Sequence, residues 1–175
     1  MDDGLNDDRL GATGRLGRVT DSLMRCLDLF SGMGGISRAL RNYCRTVAWC
    51  ECAEFPRKII EARMADGLLD RAPLFSDVRE LSAEKLREAG VSDVDIICGG
   101  FPCQDISTAG NQRGMVANET RSGLFFEIIR LAHELHPQYI FLENVSAITS
   151  LGNTLGIVLS SLDEIGCFFV LTTCS

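Results

Sequence analysis

The chain has 175 residues, of which 46% are apolar and 23% are charged, as in an ordinary folded domain and unlike disordered or collagen-like proteins. A chain of this length can bury enough surface to fold without disulfides or structural metals. Its formal net charge of −7 argues against a broadly basic surface that binds phosphates. No stretch is apolar enough for a transmembrane helix, so we expect no membrane segment.

The eight cysteines lie mostly in apolar runs, and no secretory signal precedes them. We therefore expect reduced thiols in a cytoplasmic protein, with no disulfide framework. Cys50 and Cys52 are separated by one residue, a gap shorter than the usual spacing of zinc ligands. We expect no metal site.

Residues 1–23 lack a sustained apolar pattern, which predicts a disordered extension before a single domain at 24–175. From Met24 onward, short apolar runs alternate with longer amphipathic runs. This alternation is typical of α/β proteins with a doubly wound, mostly parallel sheet. The predicted strands are Cys26–Phe30, Thr46–Glu51, Leu74–Ser76, Val94–Cys98, Tyr139–Glu143 and Phe168–Thr172. The predicted helices are Gly34–Asn42, Phe55–Gly67, Ser82–Ala89, Gly123–Leu135 and Thr154–Ile165.

A long polar segment, Gly99–Ser122, follows the fourth predicted strand and is rich in Gly, Ser, Thr, Asn and Gln. Connections of this length are usually functional or disordered. In an open parallel sheet, ligands bind beyond the carboxyl ends of the strands. The sequence therefore predicts a functional site where this segment begins.

The first predicted strand runs into a glycine-rich turn, Asp28–Gly35, and then into a helix. Glycines allow a ligand to approach the backbone closely, which favours a nucleotide-like ligand, with a merely tight turn as the alternative. Glu51 ends the second strand, where such folds place a carboxylate on ribose hydroxyls, unless it is simply a solvated acid. Asp77 could accept a hydrogen bond from an adenine amino group, or it could only precede a helix.

Cys103 stands directly after Pro102, where a buried strand opens into the polar segment. A cysteine attacks as the thiolate, so the site must promote its deprotonation. The two histidines, His133 and His136, lie on a later predicted helix, which disfavours a Cys–His hydrolase. The remaining cysteines are expected to be small core residues.

Glu143 follows the apolar run Tyr139–Leu142. A carboxylate at that depth is costly unless it is paired or functional. It suits a group that donates a proton or a hydrogen bond. The alternative is a strand-end acid that reaches water.

These motifs, in this order, resemble the DNA (cytosine-5)-methyltransferases. Asp28–Gly35 is similar to the family's glycine-rich motif, Gly99–Ser107 to its cysteine motif, Arg121–Phe126 to the segment after its mobile loop, and Glu143–Val145 to its Glu-Asn-Val motif. The resemblance extends over Met24–Ser175. It implies the Rossmann-like fold of S-adenosylmethionine-dependent methyltransferases, with S-adenosyl-L-methionine as cofactor and double-stranded DNA as partner.

The resemblance also implies a mechanism. Cys103 adds to C6 of a cytosine flipped out of the duplex, and Glu143 contacts ring N3 and the exocyclic amine. C5 takes the methyl group, and loss of the C5 proton releases Cys103. The implied cofactor-binding residues are Phe30, Gly32, Met33, Gly35, Glu51, Cys52, Asp77, Val78, Gly100, Pro102 and Leu124. The implied supports of the loop and substrate are Gln104, Arg121 and Asn144.

The sequence departs from the family at Cys52, where many relatives carry a larger side chain against adenine. Relatives also continue past a strand like Phe168–Thr172 into an arginine-bearing motif, a target-recognition region and a final helix. We therefore expect a fold that is incomplete at its C-terminus and a complementing C-terminal chain as a possible partner. Two alternatives stay open: a cytosine-5 methyltransferase of transfer RNA, and an inactive cofactor-binding remnant. Phe101 before Pro102 favours the DNA enzymes of bacteria or phages.

Overall fold

A computed structural model describes residues 23–101, 123–145 and 154–174. The predicted disordered extension falls almost wholly outside these residues. The strands are β1 Met24–Leu29, β2 Cys44–Cys50, β3 Leu74–Phe75, β4 Ile96–Gly100, β5 Tyr139–Val145 and β6 Phe168–Cys174. The helices are α1 Gly35–Leu40, α2 Glu54–Ala65, α3 Ala83–Glu88, α4 Leu124–Leu135 and α5 Thr154–Ile165, with a 3₁₀ helix at Val78–Glu80.

The described strands form one parallel sheet in the order β3-β2-β1-β4-β5-β6. The chain moves outward in one direction from β1 to β3, and then in the other direction from β4 to β6. The reversal lies between β1 and β4, which is where open parallel sheets bind ligands. The prediction of a doubly wound parallel sheet is confirmed.

The main core lies on one face of this sheet, where apolar side chains of the central strands meet α4. Leu27, Ile97 and Leu142 are fully buried, and they pack with Phe125 and Leu131 of the helix. Alternate residues of a strand face opposite sides, so the intervening Cys26 and Cys98 belong to a second cluster with Ile36 and Leu40 of α1. The sheet therefore has apolar side chains packed on both faces.

The predicted boundaries of β4 were wrong. The strand begins two residues later than predicted, at Ile96, and continues through Gly99 and Gly100. Asp95 precedes it because its carboxylate accepts hydrogen bonds from the amide and guanidinium of Arg25, at 2.8–2.9 Å. Two glycines end this strand, and at Gly99 no larger residue fits, because a Cβ there would lie 2.3 Å from the Leu29 carbonyl oxygen.

The other predicted elements are confirmed within a few residues. The first strand ends one residue earlier than predicted, because Phe30 adopts a positive φ of 55°. β5 and β6 each continue two residues further than predicted, to Val145 and Cys174. None of the helices in the described part of the chain is long and apolar enough to cross a membrane.

Candidate active site

The glycine-rich turn after β1 is fixed to the two neighbouring strand ends. The Ser31 hydroxyl donates to the Asp28 carbonyl at 2.8 Å, and the Cys50 amide donates to the same hydroxyl at 3.3 Å. Gly34 adopts a φ of 79°, and a Cβ on it would lie 2.7 Å from a methyl group of Leu69. Only glycine fits both the backbone conformation and the packing at that position.

The turn leaves open space beside its other glycines. Apart from the adjoining residues and the backbone of the same helix, no heavy atom of the described residues lies within 4 Å of a Cβ built on Gly32 or Gly35. Met33, between them, is half exposed. A ligand could therefore approach this backbone closely, as the sequence predicts.

Glu51 connects the glycine-rich turn to the start of α2. Its Oε2 accepts a hydrogen bond from the Gly32 amide at 2.7 Å, and its Oε1 accepts one from the Ala53 amide at 2.8 Å. The residue is buried, so the alternative of a freely solvated acid was wrong. A carboxylate oxygen can accept more than one hydrogen bond, so Glu51 retains capacity for a ribose hydroxyl.

Asp77 and Val78 lie at the start of the 3₁₀ helix. The Asp77 carboxylate caps this helix by accepting from the Arg79 amide at 3.0 Å, and it pairs with the Arg79 guanidinium at 2.6 Å. The pair lowers the pKa of Asp77. Val78 is buried in the main core. Asp77 thus caps the helix that follows it, which is the alternative that the sequence left open. Only its remaining acceptor capacity is available to an adenine amino group.

Cys52, the position at which the sequence departs from the family, is exposed.

Glu143 lies directly beside Gly100. The two residues are partners in the register of β4 and β5, and a Cβ on Gly100 would lie 2.8 Å from Glu143 Oε2. The glycine therefore makes room for the carboxylate. Glu143 is partly buried, and it is held at the carboxyl end of the sheet by regular strand pairing.

The chain on either side of the predicted nucleophile is held together by two phenylalanines. Phe101 is buried, and its ring centroid lies 5.4 Å from that of Phe125 on α4. These residues flank the segment 102–122. Pro102, Cys103, Gln104 and Arg121 lie within that segment, outside the described residues, as does the side chain of Asn144. Leu124, the first residue of α4, is partly buried beside the main core.

Asp28 is a buried ionisable residue that the sequence-based predictions do not include among the site residues. Its carboxylate is fully buried, and its Oδ2 accepts a hydrogen bond from the Ser37 hydroxyl. Its Oδ1 has no hydrogen-bond partner among the described residues. Burial raises the pKa of Asp28 to about 6. The available signal was an acid inside the apolar strand Cys26–Leu29, where an ionised side chain is costly.

The described part of the chain holds no group of three or more His, Cys, Asp or Glu side chains suited to a metal ion. The site consists instead of an open glycine turn, buried Glu51, the Asp77 edge and the Glu143–Gly100 pair. All four lie at the carboxyl ends of adjacent strands. This arrangement can accept a nucleoside on one side and present a carboxylate to a second ligand on the other.

Comparison with known proteins relates the sequence of this chain to those of DNA methyltransferases. Residues 24–174 match the family model of C-5 cytosine-specific DNA methylases. The type II methyltransferase M.CviJI of Paramecium bursaria Chlorella virus IL3A is 36% identical over 150 residues, which are 86% of this chain and 38% of the relative. M.HhaI of Haemophilus parahaemolyticus is 32% identical over 81% of this chain and 40% of its own length. The orphan methyltransferase M.Rho11sI of Bacillus phage rho11s is 35% identical over 83% of this chain and 28% of its own length.

Among solved structures, a putative S-adenosyl-L-methionine-dependent methyltransferase from Methanococcus maripaludis is 17% identical, with a TM-score of 0.46, over 83% of this chain and 69% of that one. The family assignment rests on the sequence matches. The chain spans between about a quarter and two fifths of the length of the relatives named above. Because the family model matches almost the whole chain, the chain belongs to the C-5 cytosine-specific DNA methylase family.

Proposed function

We propose that this chain is the cofactor-binding and catalytic portion of an enzyme that transfers a methyl group from S-adenosyl-L-methionine to C5 of cytosine in DNA. The observation that supports it best is the pairing of Gly100 with Glu143. The motif glutamate is held beside the strand that leads within three residues to Cys103. The proposal therefore brings the two groups to one substrate ring.

The residues at the switch point suit the proposed cofactor. The open space beside Gly32 and Gly35 accommodates a ligand against the backbone, and buried Glu51 offers acceptors to ribose hydroxyls. Asp77 would accept from the adenine amine, and Gly100, Pro102 and Leu124 would lie along the amino-acid end. When bound, the cofactor supplies an electrophilic methyl group.

On the substrate side, the Cys103 thiolate would form a bond to C6 of a flipped cytosine, which moves electron density toward C5 and N3. Glu143 would hold N3 and the exocyclic amine and so stabilise the electron-rich ring. C5 would then form a bond to the methyl carbon as the bond from that carbon to the sulfonium sulfur breaks, which would leave S-adenosyl-L-homocysteine. Loss of the C5 proton would return the electrons that break the Cys103–C6 bond and restore the aromatic ring. Gln104, Arg121 and Asn144 would support the loop and the base.

We further propose that activity needs a polypeptide beyond these residues. Flipping a base costs a few kcal/mol, which contacts to DNA must supply. From Gln104 to Ser175 the chain has three arginines, no lysine and seven acidic residues, a formal balance of −4. A segment with this net charge repels phosphate. The DNA contacts would therefore come largely from a complementing C-terminal part.

The test is transfer of a radiolabelled methyl group to duplex DNA of mixed sequence. The chain is assayed alone and after addition of a polypeptide with the arginine motif, recognition region and final helix of a relative. We expect transfer only with the added polypeptide and only to DNA. Transfer by the chain alone would refute the need for a complementing part. Transfer to transfer RNA, with none to DNA, would refute the proposed substrate.

A further inference from the structure

A four-way contact joins α4 to the segment Asp77–Ser82. Arg130 donates through Nη2 to the carbonyl oxygens of Val78, at 3.0 Å, and Leu81, at 2.8 Å. The same guanidinium binds Glu127 at 2.8 Å and Glu134 at 2.7 Å. Its donors therefore connect two acids of its own helix with two carbonyls of another part of the chain.

The helix is built to present this group. Glu127, Arg130 and Glu134 follow spacings of three and four residues, so they share one face of α4. The opposite face carries Phe125 and Ala132 into the core. The acids hold the guanidinium plane in place, and an arginine fork can engage several acceptors at fixed angles where a lysine cannot.

The contact extends one step further, to α3. The second carboxylate oxygen of Glu134 accepts a hydrogen bond from the Ala83 amide at 2.9 Å. Ala83 is the first residue of α3, and its amide has no partner within that helix. Arg130 and Glu134 therefore hold both the 3₁₀ helix and the residue that follows Ser82.

Isolated surface ion pairs contribute little to stability, usually under about 1 kcal/mol. Arg130 differs from such pairs because its side chain is about one third exposed and two of its hydrogen bonds cross 49 and 52 residues of sequence. Those bonds end on the backbone of Val78 and Leu81, whose own i to i+3 hydrogen bond forms the 3₁₀ turn. Hydrogen bonds from a charged donor are the stronger class.

We propose that Arg130 is a positioning residue of the cofactor site, which holds the Asp77–Val78 edge at a fixed place relative to α4. The inference rests on the proposed function, because it takes this edge to be the adenine side. α4 begins directly after the segment that carries Cys103. Arg130 thus fixes the adenine edge from the helix that follows that segment in the sequence.

The test compares Arg130→Ala with Arg25→Ala in the full chain. Arg25 is a matched control, because it also forms a multiple contact, with Asp93 and Asp95, but at the start of β1, far from the strand ends that form the site. Two quantities are measured: amide hydrogen exchange over residues 78–83, and the dissociation constant of S-adenosylhomocysteine. We expect Arg130→Ala to speed exchange there about tenfold and to weaken binding at least fivefold, whereas Arg25→Ala lowers the melting temperature without either effect.

Arg130→Lys separates charge from geometry. It keeps a positive charge opposite Glu127 and Glu134 but lacks the fork for the two carbonyls. We expect it to retain the melting temperature better than Arg130→Ala and still to exchange rapidly over 78–83. Exchange and binding at the level of the unaltered chain would show that charge alone suffices, and would overturn the positioning role.

Two further outcomes separate a failure of the Arg130 inference from a failure of the proposed cofactor site. Unchanged exchange in Arg130→Ala, or an equal loss of affinity in Arg25→Ala, would overturn this inference while leaving the cofactor site intact. If the unaltered chain does not bind S-adenosylhomocysteine at millimolar concentration, the proposed cofactor site fails, and with it the link from Arg130 to that site.

Discussion

The buried Asp28 predicts a distinctive pH dependence of stability. Its pKa is raised from 3.8 to about 6, chiefly by burial. A displacement of this size corresponds to about 3 kcal/mol between the ionised and protonated forms. Between pH 4 and 6 the folded chain holds a proton that the unfolded chain has released. Asp28 therefore makes unfolding progressively easier as the pH rises through this window, and its full cost is present above pH 6.

Comparison with Asp28→Asn isolates this effect, because all other titrating groups are shared. We expect the free energy of unfolding of Asp28→Asn, minus that of the unaltered chain, to rise by about 2 kcal/mol or slightly more between pH 4 and 7. Urea unfolding followed by the fluorescence of Trp49, the single buried tryptophan, measures it. Ser37→Ala removes a hydrogen bond that lowers the pKa of Asp28, so it should move the window to higher pH.

Asp95→Asn is the opposite control. Arg25 lowers the pKa of Asp95, so the stabilisation by this carboxylate is present above its unfolded pKa and is lost as the pH falls. The corresponding difference for Asp95→Asn should therefore decrease as the pH rises, chiefly below about pH 4, because the pKa of this carboxyl lies below 3.8. A difference for Asp28→Asn that stays flat to within about 0.5 kcal/mol, or that has the sign of Asp95→Asn, would refute the argument.

Three further predictions concern the site and the extension. The Glu51 carboxylate accepts from the backbone amides of Gly32 and Ala53, and Glu51→Gln turns an amide donor toward one of them. The free energy of unfolding in urea should therefore fall by about 1–3 kcal/mol. An unchanged free energy would contradict the role of Glu51 in holding the glycine-rich turn to α2. Gly100→Ala displaces only the end of the Glu143 side chain. Methyl transfer by the complemented enzyme should therefore fall at least tenfold, while the free energy of unfolding changes by less than about 1 kcal/mol. An unchanged rate of transfer would count against a catalytic Glu143. A chain that starts at Met24 should melt within a few degrees of the full chain by calorimetry, and a large drop would show that residues 1–23 pack.

The sequence predicted the sheet well because the strands carry short apolar runs and the helices carry amphipathic ones. Its errors fell at strand ends. Gly99 and Gly100 have low strand propensity, yet they belong to β4: the Leu29 backbone excludes any side chain at Gly99, and the missing side chain of Gly100 leaves room for the end of Glu143. That requirement arises from neighbouring strands, so no local pattern reveals it. Asp95 lies before the strand for a similar reason, since its partner Arg25 is 70 residues away.

The candidate site was predictable in its residue types but not in its contacts. Glu51 was identified by its place at a strand end, whereas its two bonds to backbone amides depend on how the glycine turn meets α2. Arg130 gave no signal beyond a helical charge pattern, because its two carbonyl partners lie about 50 residues earlier in the chain. Contacts of this kind become visible only when the elements are placed together.

The most direct test of the central claim is the site of covalent attachment to DNA. Fluorine at C5 of cytosine blocks the elimination that releases the nucleophile, so the complemented enzyme, supplied with S-adenosyl-L-methionine, should form a denaturation-resistant adduct with DNA that contains 5-fluorocytosine. Peptide mapping by mass spectrometry should place the adduct on Cys103. Cys103→Ser should abolish the adduct. Cys98→Ser, which replaces a fully buried thiol of the second cluster, should retain it. An adduct that survives Cys103→Ser, or that maps to another cysteine, would contradict the account.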